Sequence, residues 1–264
     1  MKISTLRLAN LIVLSASLVI YSLDANARSI TTQRSLSLGA GFSSPSAPNA
    51  LRENSAGLIS HRALGVMTGA GDSSSSGSFY SYGLFAGGGA AAGALDFRKD
   101  QDTGTQTSAF GFAALLPGTG VAAGLTCGAS YENTLGLSCS DLSLLTNPGG
   151  AFRVGVVAKN LLDRSASDIF GVGVSIDVTR QVTLVIDGAT DRDFSQKSLK
   201  PAFGFDLGMA QFTAGYGVSL GDLGSSEIRS GIAAGMGLEV LRGLRFQAHY
   251  NYIAAYFASL AWSF

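Results

Sequence analysis

The sequence has 264 residues, of which 46% are hydrophobic and only 14% are charged, and its mean hydropathy is +0.29. Its 18 basic and 18 acidic residues balance, so the chain lacks the positive field that binding to nucleic acid requires. Beyond residue 27 no apolar run reaches about 18 residues, which excludes a helical membrane protein and leaves strands as the means of crossing a membrane.

The N-terminus has the three parts of a secretory signal peptide. Lys2 and Arg7 form a basic region, residues 8–23 are mostly apolar, and residues 25–27 (Ala-Asn-Ala) are a small-residue cleavage site. An uncleaved membrane anchor is the alternative, but the apolar stretch is short for that role. We therefore predict a signal peptide over residues 1–27 and export of the mature chain.

Residues 28–61 do not read as a complete lipid-facing strand. Alternation is brief, and residues 43–54 then carry two prolines and several polar side chains. Irregular backbone at membrane depth is tolerated only when it is buried in protein or lines a watery lumen. We predict a hatch inside a barrel, and the alternative is a periplasmic leader without fixed structure. The predicted hatch residues are Asn49, Arg52, Glu53, Asn54 and Gly57.

From residue 62 to residue 264, apolar residues alternate with small or polar ones at a period of two. This pattern is typical of a transmembrane β-barrel, with lipid outside and a polar lumen inside. Segments between turn signals give about fourteen strands of roughly ten residues, with twelve as the alternative count. We predict an all-β fold, an antiparallel transmembrane barrel. The strands are expected near residues 63–70, 78–87, 90–98, 106–116, 120–129, 134–143, 151–162, 168–178, 181–189, 199–208, 210–220, 228–240, 243–252 and 254–264.

Several ionisable residues have the parity that faces the lumen. They are Arg153, Lys159, Asp177, Asp187, Asp206, Arg229, Glu239, Arg245 and His249. Both signs are present, so we favour pairing among them or with hatch residues such as Arg52 and Glu53. A permeation path is the alternative, although mixed signs create no strong selective field. With only two histidines the sequence indicates neither a metal site nor any other cofactor, and we expect no enzyme.

Cys127 and Cys139 lie symmetrically about Asn133 in a predicted hairpin turn. In that register they are direct cross-strand partners on the apolar face, and an oxidising compartment permits a disulfide. A one-residue shift would separate them, so two small lipid-facing thiols remain the alternative.

The last strand places Tyr256, Ala258, Leu260, Trp262 and Phe264 on one face. It resembles the closing strand of barrels from Gram-negative outer membranes, which commonly end in phenylalanine. The resemblance implies insertion into outer-membrane lipid by the barrel-assembly machinery, with Trp262 and Phe264 as the C-terminal insertion signal.

The segment Asn49-Ala50-Leu51-Arg52-Glu53-Asn54-Ser55-Ala56-Gly57-Leu58 resembles the hatch of the FadL-type outer-membrane superfamily, with Ser55 where proline is usual. Three further stretches, residues 153–161, 200–205 and 214–216, are similar to its shorter PorV-like members. The resemblance implies a fourteen-stranded barrel with an N-terminal plug and, in the best-known members, uptake of hydrophobic molecules.

From these observations we expect a passive conduit or binding barrel for small hydrophobic solutes. The alternative is a structural or surface-interaction protein with a closed lumen, which acts through its extracellular loops. We expect no nucleic-acid partner.

Overall fold

The computed structural model describes residues 42–43, 50–51, 53–60, 64–73, 77–101, 104, 106–130, 136–161, 168–194, 197–220, 228–251 and 255–264. The predicted signal peptide lies outside these residues, as do Asn49 and Arg52 of the predicted hatch and the side chain of Arg229. Within the described part, no helix is both long and apolar enough to cross a membrane.

The described chain forms fourteen strands, each hydrogen-bonded antiparallel to its neighbours in sequence. They are β1 Leu64–Ser73, β2 Gly77–Gly87, β3 Ala91–Asp100, β4 Gln106–Leu115, β5 Val121–Ser130, β6 Gly136–Thr146, β7 Phe152–Lys159, β8 Ile169–Asp177, β9 Val182–Asp191, β10 Lys197–Asp206, β11 Ala210–Leu220, β12 Ile228–Leu241, β13 Leu244–Asn251 and β14 Ala255–Ser263. β1 also pairs with β14, so the sheet closes into a barrel. The predicted fold class is confirmed, and the alternative count of twelve strands is wrong.

The barrel wall has two chemically different faces because successive side chains point to opposite sides of a strand. On β9, Ile186 is 56% exposed, whereas its neighbours Val185 and Asp187 are each 1% exposed. Large apolar side chains fill the exposed positions of the other strands as well. Such an outer surface suits lipid, and the polar and small residues are left to line the lumen.

Short turns join the strands at one end of the barrel, which we call the short-turn end. They cover residues 88–90, 116–120, 147–151, 178–181, 207–209 and 242–243. Gly208 (φ 86°) and Gly243 (φ 78°) adopt left-handed backbone there, which glycine accepts without strain. The barrel closes at the same end, where the amide of Phe264 donates a hydrogen bond of 2.9 Å to the carbonyl of Leu64.

Residues 42–43, 50–51 and 53–60, here called the inner segment, lie against the inner face of the wall. Residues 55–60 of this segment form the 3₁₀ helix Ser55–Ser60, which contacts strands β2 to β6. Ser55, Ala56, Gly57, Leu58 and Ile59 are all buried. The 3₁₀ helix therefore lies against one side of the lumen.

Candidate functional site in the barrel lumen

Asn54 ties the inner segment together and joins it to the wall. Its side chain is 1% exposed, and its Nδ2 donates hydrogen bonds to the carbonyls of Phe42 (2.5 Å) and Leu144 on β6 (3.1 Å). Its Oδ1 accepts a bond of 3.1 Å from the amide of Ala56. One buried amide side chain thus fixes three separate pieces of backbone.

Inward hydroxyl groups of the wall supply further bonds to the same segment. The Ser143 hydroxyl accepts a bond of 3.0 Å from the Ala56 amide and lies 2.9 Å from the Ser55 hydroxyl. Thr126 Oγ1 donates a bond of 3.1 Å to the carbonyl of Leu51. These neutral bonds hold the inner segment against β5 and β6.

The inner segment packs closely against the wall because the wall has small residues there. Two apolar clusters form between the inner segment and the inner face of the wall. One contains Ala50, Leu58, Ala92 and Ala113, and the other contains Ala56, Ile59, Ala122 and Leu145. At Gly124 on β5 a β-carbon would overlap the backbone nitrogen of Ala56. Glycine at this position is therefore required by the close approach of another backbone.

Asp187 on β9 anchors the earlier part of the inner segment. Its Oδ2 accepts a bond of 2.8 Å from the amide of Phe42, and its Oδ1 accepts one of 3.3 Å from Ser43 Oγ. Ser175 on β8 donates a bond of 3.2 Å to the carbonyl of Ser43. Residues 42–43 therefore lie on β8 and β9, on a part of the wall separate from that under residues 50–60.

Predicted lumen charges form an ion pair near the short-turn end. Arg153 is 5% exposed, and its two terminal nitrogens each lie 2.9 Å from a carboxylate oxygen of Asp177. Its Nε donates a bond of 2.9 Å to Ser175 Oγ, and the Thr183 hydroxyl also donates to Asp177. The bidentate geometry is the strong form of such a pair.

A second polar chain runs across the next strands at the same end. Arg245 lies 3.3 Å from the carboxylate of Glu239 and donates a bond of 3.3 Å to Gln211 Oε1. The Gln211 amide nitrogen donates a bond of 2.7 Å to Asp206. The Arg153–Asp177 pair and the polar chain that contains Arg245 each connect neighbouring strands, so they stabilise the wall from inside the barrel.

Two of the remaining predicted residues lie between the inner segment and the wall. The Lys159 ammonium lies 6.0 Å from the centre of the Phe42 ring. Lys159 and Glu53 line the same cavity of about 10 Å³, which is too small for a solute. Gly57 is buried in the 3₁₀ helix, and the backbone of Arg229 pairs with Ser219. Among the described residues, no group of three or more histidine, cysteine or acidic side chains is placed to hold a metal ion.

The seam where β14 meets β1 carries planar side chains on its inner face. The ring of Phe257 on β14 stacks on His249 of β13 (centroids 6.2 Å apart, 20° between planes) and on Phe79 of β2 (5.9 Å, 14°). The Arg98 guanidinium lies 3.6 Å over the centre of the Phe79 ring. We call these four side chains the seam stack. Gly71 of β1 pairs with both phenylalanines and leaves the rings free to meet across its strand.

A polar row lies beside the seam stack, one register step nearer the short-turn end. Gln247, Ser259, Gly69 and Ser81 occupy successive strands in this row. Ser259 donates a bond of 3.2 Å to Gln247 Oε1. Gln247 Nε2, Ser81 Oγ and both ring nitrogens of His249 are buried without a hydrogen-bond partner in the structure as described.

The outer face of the same seam contains a cavity of about 480 Å³. Its lining includes the exposed apolar residues Val66, Leu84, Phe97, Leu260 and Trp262. Met67 and Gly83, which pair across β1 and β2, also line it. A hydrophobic pocket therefore faces the lipid where the wall closes.

A disulfide joins Cys127 on β5 to Cys139 on β6, which are direct register partners. The register shifts between Thr126 and Cys127, so the bond lies beside a β-bulge. Cys127 is only 2% exposed and pairs on its other side with Phe110 of β4.

The sequence analysis did not predict several residues that form contacts inside the lumen. Phe42 and Ser43 carry no local signal, because their partners are more than a hundred positions away. Gln211, Gln247 and Phe257 have the inward parity that identified the charged residues, and the same test applied to amide and aromatic side chains would have found them.

The chain matches no protein-family model and no curated protein. Solved structures do resemble it. A structure described as the CymD monoaromatic hydrocarbon channel matches with a TM-score of 0.62 and 10% identity, over 90% of this chain and 97% of the other. Omp33 of Acinetobacter baumannii, an outer membrane protein, matches with a TM-score of 0.54 and 9% identity, over 77% of this chain and 98% of the other. These likenesses establish the fold, which is that of an outer-membrane β-barrel.

Proposed function

We propose that this chain is a passive, non-enzymatic conduit or binding barrel for small hydrophobic solutes in the outer membrane of a Gram-negative cell. One observation carries the proposal: the inner wall at the seam is lined by the stacked rings of His249, Phe257 and Phe79. Sites for small molecules are mostly apolar, with a few placed polar groups, and this sector has that composition. The fold shared with a hydrocarbon channel and the resemblance to FadL-type hatches support it.

We propose further that residues 28–61 are a hatch. In support, the described part of this stretch is bonded to the inner wall, through Ser143 and Thr126 near residues 50–60 and through Asp187 near residues 42–43. The bonds of Ser143 and Thr126 are neutral and contribute about 1 kcal/mol each, whereas those of Asp187 contribute more because its carboxylate is charged. We propose that this segment moves without unfolding the barrel.

The cavity of about 480 Å³ on the outer face of the seam suits the lipid side of this path. It lies on strands that also carry the seam stack, nearer the short-turn end, and its lining is apolar. The β1–β2 ladder is continuous there, so a solute that passes through the wall requires these strands to separate. We propose that the cavity holds hydrophobic solute among the lipid chains.

Single-channel conductance of the refolded chain without residues 1–27, in planar bilayers, tests the proposal. We expect conductance that a long-chain fatty acid changes, because bound hydrophobic solute alters the lumen. Deletion of residues 28–60 is expected to raise conductance. An unchanged conductance and unchanged solute uptake after this deletion would contradict the hatch.

A structural barrel with a closed lumen is the second candidate. It is favoured by the bonded pairs Arg153–Asp177 and Arg245–Glu239, which brace the wall, and by the close packing of the inner segment. A correctly folded barrel that stays silent in bilayers and takes up no solute would favour this candidate.

A further inference from the structure

We infer that the seam stack and the polar row beside it bind a small planar aromatic molecule that carries one hydrogen-bonding group, such as a phenol. The inference rests on the proposed function, because it names the class of solute for the same lumen. It is carried by two observations of different kinds: stacked planar groups and buried polar atoms without partners.

The planar groups form a continuous series across five strands. It runs from His249 on β13 through Phe257 and Phe79 to Arg98 on β3, with β1 crossed at Gly71. The planes of the three rings differ by 20° or less between neighbours. Aromatic rings associate by offset stacking or by edge-to-face contact, so we expect an aromatic solute to associate with this series in the same way.

Two glycines of β1 provide the space that the rings of the seam stack occupy. A β-carbon on Gly69 would lie 2.5 Å from the Phe257 ring, and one on Gly71 would lie 2.7 Å from the Phe79 ring. A larger residue at either position would push the rings apart. The two glycines of β1 therefore allow the stack to form at the seam.

The unpartnered polar atoms indicate that the seam stack does more than hold β13 to β3 together by packing. A purely structural contact would favour phenylalanine at position 249, because both nitrogens of the buried imidazole lack a partner in the described structure. His249 is 8% exposed, Ser81 is 6% and Gln247 is 0%. Buried polar atoms are nearly always hydrogen-bonded, so these atoms call for a partner, either an ordered water or a bound solute.

The unpartnered atoms define the chemistry of that partner. Neutral imidazole has one donor and one acceptor, Gln247 Nε2 is a donor, and the Ser81 hydroxyl is both. All three belong to the two adjacent rows of the seam. A phenolic hydroxyl is both donor and acceptor, so it matches either part of this set, His249 and Gln247 on β13 or Ser81 on β2, while its ring lies on the stack.

Three probes of similar size test the inference: p-cresol, toluene and 4-methylcyclohexanol. Binding is measured by calorimetric titration of the refolded chain in detergent, with protein-free micelles as the blank. We expect p-cresol to bind about fivefold more tightly than toluene, as one added hydrogen bond provides. We expect 4-methylcyclohexanol, which is not planar, to bind more weakly than p-cresol.

Two variants separate the contribution of ring stacking to affinity from the contribution of the hydrogen bond. Phe257→Ala is expected to weaken both aromatic probes at least threefold, whereas the matched control Phe246→Ala, at an exposed outer position of β13, is expected to change neither. His249→Phe keeps a stacking ring and is expected to reduce p-cresol affinity to that of toluene, with toluene unchanged. This second variant keeps the test decisive if Phe257→Ala does not fold.

Equal affinity of the wild-type chain for p-cresol and toluene, or binding of neither, would overturn the inference. So would normal p-cresol affinity in both variants. The conduit itself is tested separately by toluene uptake into liposomes. If both variants still take up toluene and bind the probes as the wild-type chain does, the conduit is supported and the binding site is contradicted. If binding depends on the seam stack but no toluene is taken up, the binding site is supported and the conduit is contradicted.

Discussion

Asp187 Oδ2 accepts a hydrogen bond of 2.8 Å from the amide of Phe42, a residue 145 positions earlier in the chain. The carboxylate is 1% exposed and also accepts a bond from Ser43. A buried carboxylate requires bonds of this kind, because removing it from water is unfavourable unless its oxygens are satisfied. Asp187 therefore couples the start of the inner segment to the wall, and the coupling makes the position testable.

We expect Asp187→Ala to release residues 42–43 and to lower the free energy of unfolding by about 2–3 kcal/mol, because bonds to a charged group are lost. Asp187→Asn keeps one acceptor and should have a smaller effect. Urea unfolding of the barrel in lipid, together with protease digestion of the N-terminal segment, measures both effects. Asp193→Ala, at an exposed turn position, is the control. Equal stability of Asp187→Ala and the control would show that the anchor is not formed.

Gly124→Ala tests the close approach between the wall and the 3₁₀ helix. The added β-carbon would overlap the Ala56 backbone, so the inner segment must shift, and we expect a loss of about 1–3 kcal/mol. Gly128→Ala on the same strand is the matched control, because its β-carbon would meet its nearest atom at an ordinary 3.7 Å. Urea midpoints and bilayer conductance of the two variants are compared. If both behave alike, residues 55–56 do not rest on β5.

Two arginines allow a test of how burial controls an ion pair. Arg245 pairs with Glu239 with its side chain 9% exposed, whereas Arg192 pairs with Asp168 at 3.8 Å with its side chain 78% exposed. We expect Arg245→Met to reduce stability by about 1–3 kcal/mol, because Glu239 and Gln211 lose a partner. Arg192→Met should change it by less than about 0.5 kcal/mol. Double-mutant cycles with Glu239→Gln and Asp168→Asn measure the pair energies, and similar values at the two sites would contradict this assignment.

The sequence was enough to predict the strands, because their alternation is a local property. On β9 the apolar residues Leu184 and Ile186 are exposed, while Thr183 and Val185 are buried, as a period of two requires. The same parity indicated the inward ionisable residues. Closure of the barrel followed from the number of strands and from the absence of a soluble pattern.

The parts of the lumen that depend on register across the seam were beyond a single sequence. Phe79 and Phe257 meet only because both pair with Gly71, and no local pattern relates residues on β2 to residues on β14. The bonding of Phe42 to Asp187 depends likewise on how residues 42–43 cross the lumen. The bulge between Thr126 and Cys127 is also a property of the paired strands rather than of either one.

The disulfide between Cys127 and Cys139 closes a sequence separation of 12 residues in the β5–β6 hairpin. Loop-closure entropy for such a loop corresponds to about 3 kcal/mol. We therefore expect reduction, or the double variant Cys127→Ala with Cys139→Ala, to lower the urea midpoint and leave the barrel folded. Alkylation of the denatured chain before and after reduction, followed by mass spectrometry, counts the thiols. Two alkylated thiols without reductant would show that the bond is absent.

Phe264→Ala tests the predicted C-terminal insertion signal. The Phe264 ring is 61% exposed and lies 4.7 Å from the Trp262 ring, so its loss removes little buried contact, and the backbone bond to Leu64 does not need the side chain. We expect the variant to refold in detergent with unchanged urea stability. In cells, by contrast, we expect less folded barrel in the outer membrane, because the closing strand would be recognised less well by the assembly machinery. Leu260→Ala on the same exposed face is the control for simple loss of an apolar side chain. Equal outer-membrane levels of Phe264→Ala and wild type would refute the signal, while a refolding defect in detergent would assign the residue to stability instead.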